Sequence, residues 1–135
     1  MTSTVIYNGG LHTTCTHLKS ASVIETDAPP DNNGKGERFS PTDLLATSLA
    51  TCMLTVMGIK ARTMDIDMED MKADVEKIMK ADPRRVSGIH VTFHIPEALQ
   101  HISDKDKTIL KNVAETCPVM KSIHPDIEVS VDWNW

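Results

Sequence analysis

Three cysteines and six histidines are the groups in this 135-residue chain best suited to nucleophilic, redox or metal chemistry. Cys52 falls in the apolar stretch from Leu44 to Ile59, on the same helical period as Leu45, Leu49, Val56 and Ile59. Its residue type and neighbours make it a small hydrophobe in a core, because apolar burial raises a thiol's pKa and leaves it inert. Cys117 stands directly before Pro118. A residue before proline is pushed out of helical angles, so Cys117 is expected where one helix ends and a short second one begins. There its thiolate would meet the free N–H groups of a helix N-terminus, which lower a thiol's pKa, so a reactive role and an inert helix-end role are both open. Cys15 lies in the polar run from His12 to His17 and reads as an ordinary strand residue with no assigned role.

Other chemistries lack their residues. His12, Cys15 and His17 give the spacing H-x2-C-x-H, without a CxxC pair, an HExxH helix or a second ligand pair, so no metal site is expected. No phosphate-binding glycine loop or nucleophile elbow occurs either, and no cofactor is expected. The eight methionines suit a deformable core rather than a cofactor box. Fourteen Lys and Arg against nineteen Asp and Glu give a net charge of −5, with no basic block, which excludes a nucleic-acid partner. Apolar residues at 40% and charged residues at 24% fit a folded globular chain. The length fits one domain spanning residues 1–135. The start, MTSTVIYNGG, has neither a basic nor an apolar segment of a secretory signal. The stretch 44–59 is interrupted by Thr, Ser and Cys and falls short of the roughly 20 residues that span a bilayer. A cytoplasmic protein without a membrane partner is therefore expected. Its cysteines, odd in number, should be free and their chemistry catalytic or redox-sensing.

These groups must be held by an α+β scaffold. Thr, Val and Ile from Ser3 to Glu25, with a turn at Asn8-Gly9-Gly10, predict a hairpin and a third strand, followed by a surface loop from Asp27 to Glu37. Ser40, Pro41 and Asp43 then mark a helix start, as N-cap, first-turn proline and first-turn charge. The helix that follows is apolar on nearly every side, which predicts a buried central helix. A chain of this size cannot wrap it alone, so a second copy is expected to cover it. Residues 68–81 fit both helix and strand. The turn at Asp82-Pro83 and the clean alternation of Ile89, Val91, Phe93 and Ile95 favour a strand and an antiparallel sheet. Ser103 or Asp104 caps a further helix carrying Leu110, Val113, Ala114 and Cys117 on one face, and Ile127–Trp133 forms a last strand.

Two segments together carry a family resemblance. Ser40-Pro41-Thr42-Asp43-Leu44-Leu45-Ala46-Thr47-Ser48-Leu49-Ala50-Thr51-Cys52, followed much later by Glu115-Thr116-Cys117-Pro118-Val119-Met120-Lys121-Ser122, resembles the paired signature of the OsmC/Ohr family, the osmotically inducible and organic hydroperoxide resistance proteins. The order of elements matches over nearly the whole chain. The resemblance implies an OsmC-like fold and an intertwined homodimer with active sites at the subunit interface. It also implies a metal-free peroxidase acting on organic hydroperoxides and regenerated by an external dithiol reductant. On it, Cys52 matches the peroxidatic cysteine, which becomes a sulfenic acid, and Cys117 the resolving cysteine, which closes a disulfide, as the oxidation ladder allows. The family signature also calls for an arginine from the N-terminal strands held by a glutamate. Here position 42 is Thr, the acid is Asp43, and no arginine precedes Arg38. Asp43 matches the acid of those members that carry it one residue closer to the cysteine, and Arg38 is the arginine left to activate Cys52. Their ordinary roles would be a helix-start charge and a solvated loop residue. Without such a cation the same fold would serve instead as a dimer that binds a small hydrophobic ligand or senses redox state.

Overall fold

The computed structural model describes residues 1–135, which divide into two compact units, Met1–Leu45 and Ala46–Trp135. The N-terminal unit is a three-stranded antiparallel sheet in the order β1 (Ser3–Gly9), β2 (His12–His17), β3 (Val23–Asp27). Gly9 and Gly10 both take positive φ, 82° and 60°, in the turn that the sequence marks between β1 and β2. The pairing places His12 opposite Asp27 and Thr14 opposite Glu25, so His12, Asp27 and Glu25 share one face. After β3 the chain doubles back: the Gly36 N–H donates to the Ala28 carbonyl, and Gly34 lies where any Cβ would strike that same carbonyl. This unit buries only polar residues, Thr26, Asp27 and Ser40. Val5, Tyr7 and Ile24 on one face of its sheet and Ile6 and Val23 on the other are all at least 50% exposed.

Helix α1 (Pro41–Arg62) opens with a reciprocal cap, in which the Asp43 N–H donates to Ser40 Oγ (3.0 Å) and the Ser40 N–H to Asp43 Oδ2 (2.9 Å). Its buried residues are Ala46, Leu49, Ala50, Met53, Met57 and Ala61. That stripe shares only Leu49 with the one the sequence suggests, and Ile59 is 62% exposed. An almost uniformly apolar helix does not reveal its inner face by period. Here the inner face is the one with three alanines, which allow close approach. Within one chain the helix is therefore buried along a stripe and not on every side. At 22 residues, with a mean hydropathy of 1.6 over its most apolar window, α1 is long and apolar enough by composition to cross a bilayer, longer than the stretch read from sequence. Its inner stripe joins the protein core instead.

That core belongs to the C-terminal unit, where the stripe of α1 clusters with Val86, Ile89, Val91 and Phe93 of β5 (Arg85–His94) and with Leu110, Ala114 and Cys117. Residues 72–80 are a strand, β4, with Ala73, Val75 and Met79 half-buried and the alternate positions exposed, so the strand reading holds over the helical one. β4 and β5 are antiparallel, whereas β6 (Glu128–Asn134) pairs with β5 in parallel. The sheet is thus mixed and not wholly antiparallel. The β5–β6 connection carries α2 (Asp104–Glu115) and α3 (Pro118–Ser122), the long crossover that parallel neighbours require. Parallel register sets Phe93 beside Trp133, and their rings stack at 4.4 Å. Ser103 caps α2 by accepting the Asp106 N–H at 3.1 Å.

Two substitutions test these packing assignments through urea unfolding midpoints. Phe93→Ala, which empties a fully buried site and removes the Trp133 stack, is expected to cost about 3–5 kcal/mol and to flatten the near-UV circular dichroism of the tryptophans. Ser40→Ala, which removes the cap of α1, is expected to cost about 1 kcal/mol.

Candidate functional site

Cys52 rides on α1 one position before Met53, whose side chain is fully buried, so the cysteine is carried on the shoulder of the core stripe and is itself half-buried. Cys117 is fixed by the break between α2 and α3. Pro118 takes the first position of α3 and Cys117, in extended backbone, is its N-cap. Its Sγ accepts the Met120 N–H at 3.4 Å, and its own N–H returns to the Ala114 carbonyl. The side chain is buried, 1% exposed, and Cys52 is near enough to perturb its ionisation. Both are free thiols. Two distant segments thus bring together the two cysteines that the sequence singles out.

Electrostatically, Cys117 departs from the expectation. Burial pushes its thiol above the usual cysteine range and the neighbouring Cys52 adds to this, while the Met120 and Val119 N–H groups pull in the opposite direction and are outweighed. A five-residue helix and one long N–H contact do not offset removal from water. Cys117 is therefore held as a neutral thiol, and Cys52 is the more exposed residue of the two. Cys117 belongs to the apolar core, and Cys52 packs against it together with other half-buried apolar side chains, among them Val56, Val113, Val119 and Met120. No three of the His, Cys, Asp and Glu side chains come together to hold a metal ion.

Arg38 and Asp43 belong to the N-terminal unit, and their partners there are defined. Arg38 donates from Nε to Glu25 Oε2 (3.1 Å) and from Nη1 to the Glu37 carbonyl (2.9 Å). Asp43 closes the cap of α1 with Ser40. Sequence reasoning weighed His12 only as a metal ligand and assigned Glu25 and Asp27 nothing. The structure joins them: His12 Nδ1 lies 2.6 Å from Asp27 Oδ1 and Nε2 lies 3.2 Å from Glu25 Oε1. Strand register was the signal that could have found them, since it sets His12 opposite Asp27. These groups line a cleft of about 360 Å³. A larger, mostly apolar cleft, about 520 Å³, is lined by Leu54, Ile59, Ile66 and Met68 in the C-terminal unit, with Arg62, Asp67 and Glu69 also on its wall.

The chain is similar to known proteins in sequence and fold. A protein of Psychrobacter arcticus 273-4, proposed to act in osmotic stress and detoxification, has a solved structure that is 56% identical, with a TM-score of 0.94 over 99% of this chain and 96% of that one. The organic hydroperoxide resistance protein OsmC of Legionella pneumophila, at 20% identity, shares the fold with a TM-score of 0.75 over 100% of this chain and 98% of its own. The organic hydroperoxide resistance protein OhrB of Bacillus subtilis does so at 17% identity, with a TM-score of 0.67 over 99% and 98%. The family model for OsmC-like proteins matches residues 34–132, which takes in both cysteine segments, and the chain belongs to that family.

Proposed function

We propose that the protein is a thiol-dependent peroxidase that reduces organic hydroperoxides, with Cys52 as the peroxidatic and Cys117 as the resolving cysteine. The observation that carries this reading is the meeting of a half-buried thiol on α1 with a buried one at the start of α3. In the first step the Cys52 thiolate attacks one oxygen of the O–O bond. The bond breaks, the alkoxide takes a proton and leaves as alcohol, and Cys52 becomes a sulfenic acid. Cys117 then attacks that sulfur; its proton leaves with the sulfenic oxygen as water, and a Cys52–Cys117 disulfide remains. An external dithiol returns both sulfurs to thiols. Holding Cys117 protonated until this second step keeps it from competing for peroxide, and the apolar core against which the two cysteines lie favours an organic substrate over hydrogen peroxide.

In this reading Arg38 is the activating cation and Asp43 its orienting acid, the positions this sequence leaves for the arginine and glutamate that the resemblance calls for; Arg38 is paired with the Glu25 carboxylate and Asp43 caps α1. The working form is a homodimer in the cytoplasm. Apolar side chains exposed on both faces of the N-terminal sheet, and the unburied apolar positions Leu45 and Ile59 on α1, support a second copy as cover. A second reading, a binder of small hydrophobic ligands, is favoured by the apolar cleft beside Leu54, Ile59 and Met68.

One equivalent of cumene hydroperoxide should convert the reduced protein to the Cys52–Cys117 disulfide, read by mass spectrometry. Cys117→Ser should stop at a sulfenic acid that dimedone traps, and Cys52→Ser should lose activity by on the order of 10³-fold or more. Arg38→Ala should slow the first step by about 10²-fold if it stabilises the thiolate. Cys52 staying reduced for hours would overturn the peroxidase and leave the ligand binder. In the reduced protein, Cys117 should be alkylated more slowly than Cys52 at pH 7 and catch up only on the alkaline side of the ordinary thiol range.

A further inference from the structure

The N-terminal unit contains a charge cluster that the peroxidase reading does not use as a unit. Both ring nitrogens of His12 face carboxylates, Asp27 at 2.6 Å and Glu25 at 3.2 Å. Each carboxylate spends its other oxygen on the segment that leads into α1: Asp27 Oδ2 accepts the Glu37 N–H at 3.1 Å, and Glu25 Oε2 accepts Arg38 Nε at 3.1 Å. Asp27 also donates its own N–H to the Phe39 carbonyl. The 28–39 segment is therefore fastened to β3 through the same two carboxylates that grip His12. Lys35 and Glu37 complete the charged groups around the cleft.

We propose that His12 is a proton-operated clasp, which fastens the 28–39 segment to β3 while the imidazole is charged and loosens it when the proton leaves. The charge count around the cleft states the reason. Glu25, Asp27 and Glu37 are matched by Lys35, Arg38 and His12 only when His12 carries a proton. A neutral imidazole has one N–H for two carboxylates, so the other nitrogen turns a lone pair toward an oxygen that is itself negative. Asp27, with its side chain 6% exposed, has little water to compensate. The Glu25–Arg38 pair, 41% and 51% exposed, is too well solvated to replace the clasp, so what remains is the backbone bonds of the segment, Asp27 N–H to Phe39 and Gly36 N–H to Ala28.

The direction of the switch follows from linkage. The Asp27 hydrogen bond, aided by Glu25 and opposed by partial burial, raises the His12 pKa above its ordinary value of 6.5. Asp27 and Glu25 are in turn held below the usual carboxylate range, Asp27 first by His12 and Glu25 first by Arg38. A raised folded-state pKa gives stabilisation that is complete below 6.5 and is lost as pH rises through the folded value. The clasp is closed in mildly acidic solution and opens on the alkaline side.

NMR titration of the His12 ring, followed together with exchange of the Glu37 amide corrected for its intrinsic pH dependence, tests this on the full chain. The His12 resonance should titrate above 6.5, and Glu37 protection should fall across the same interval. The fall should be about tenfold for each pH unit by which His12 is raised. His12→Gln, which cannot gain a proton, should abolish the step, and Asp27→Asn should bring the His12 pKa down. A His12 pKa at or below 6.5, a Glu37 protection that does not change through the titration, or the same step in H12Q would each overturn the clasp. Should H12Q fail to fold, the wild-type titration and D27N decide the matter. Peroxide reduction is not the readout, so the clasp can fail while the peroxidase stands, and the reverse.

Discussion

The C-terminal unit depends on the packing of one stripe of α1. Ala46, Leu49, Ala50, Met53, Met57 and Ala61 recur at helical spacing and are buried with the inner residues of β5. Close-packed cores do not yield by fractions of an ångström without cost. A side chain next to such a stripe therefore inherits its position, and Cys52 is one residue from Met53. The partner thiol is set by a different constraint, the backbone limits of proline. Pro118 ends the possibility of a continuous helix and leaves Cys117 as a cap, turned inward rather than along a helix face. Two unrelated restraints, dispersion packing and a ring closed on a backbone nitrogen, converge on one pair of sulfurs.

The pair is electrostatically unequal by construction. Both sulfurs adjoin the same core, yet one is withdrawn from water and the other is not. Desolvation dominates the buried one and short-helix N–H groups only temper it. This inequality distinguishes two chemically identical groups by their surroundings. The N-terminal unit shows the opposite economy. It buries no apolar side chain, and its loop is held by backbone hydrogen bonds together with charged groups placed in register by β2 and β3.

Much of this was legible in the sequence where a residue type restricts its own backbone. Pro118 announced the helix break at Cys117, Ser40 with Pro41 and Asp43 announced the start of α1, and Gly9-Gly10 announced the hairpin. The strand at 72–80 was legible by its neighbour, the alternating β5, rather than by its own composition. The inner face of α1 was not, because a helix apolar all round carries little directional information in its period. The parallel course of β6 was hidden because alternation reports that a strand is half-buried and not which way it runs. The His12 cluster was hidden for a related reason. Its members are far apart in sequence, and only the β2–β3 register, which no local pattern states, brings Asp27 opposite His12.

The parallel pairing of β5 and β6 also has a meaning for how the molecule comes into being. Cys117 lies inside the segment that this pairing closes, between a strand made earlier and one that ends at Asn134. Non-local pairing of this kind forms only once both partners exist, and a chain emerging from the ribosome supplies them in order. The segment that holds Cys117 is thus closed only once β6 has paired with β5. Until β6 pairs with β5, the core that carries Cys52 is unfinished and the crossover that holds Cys117 is open at one end.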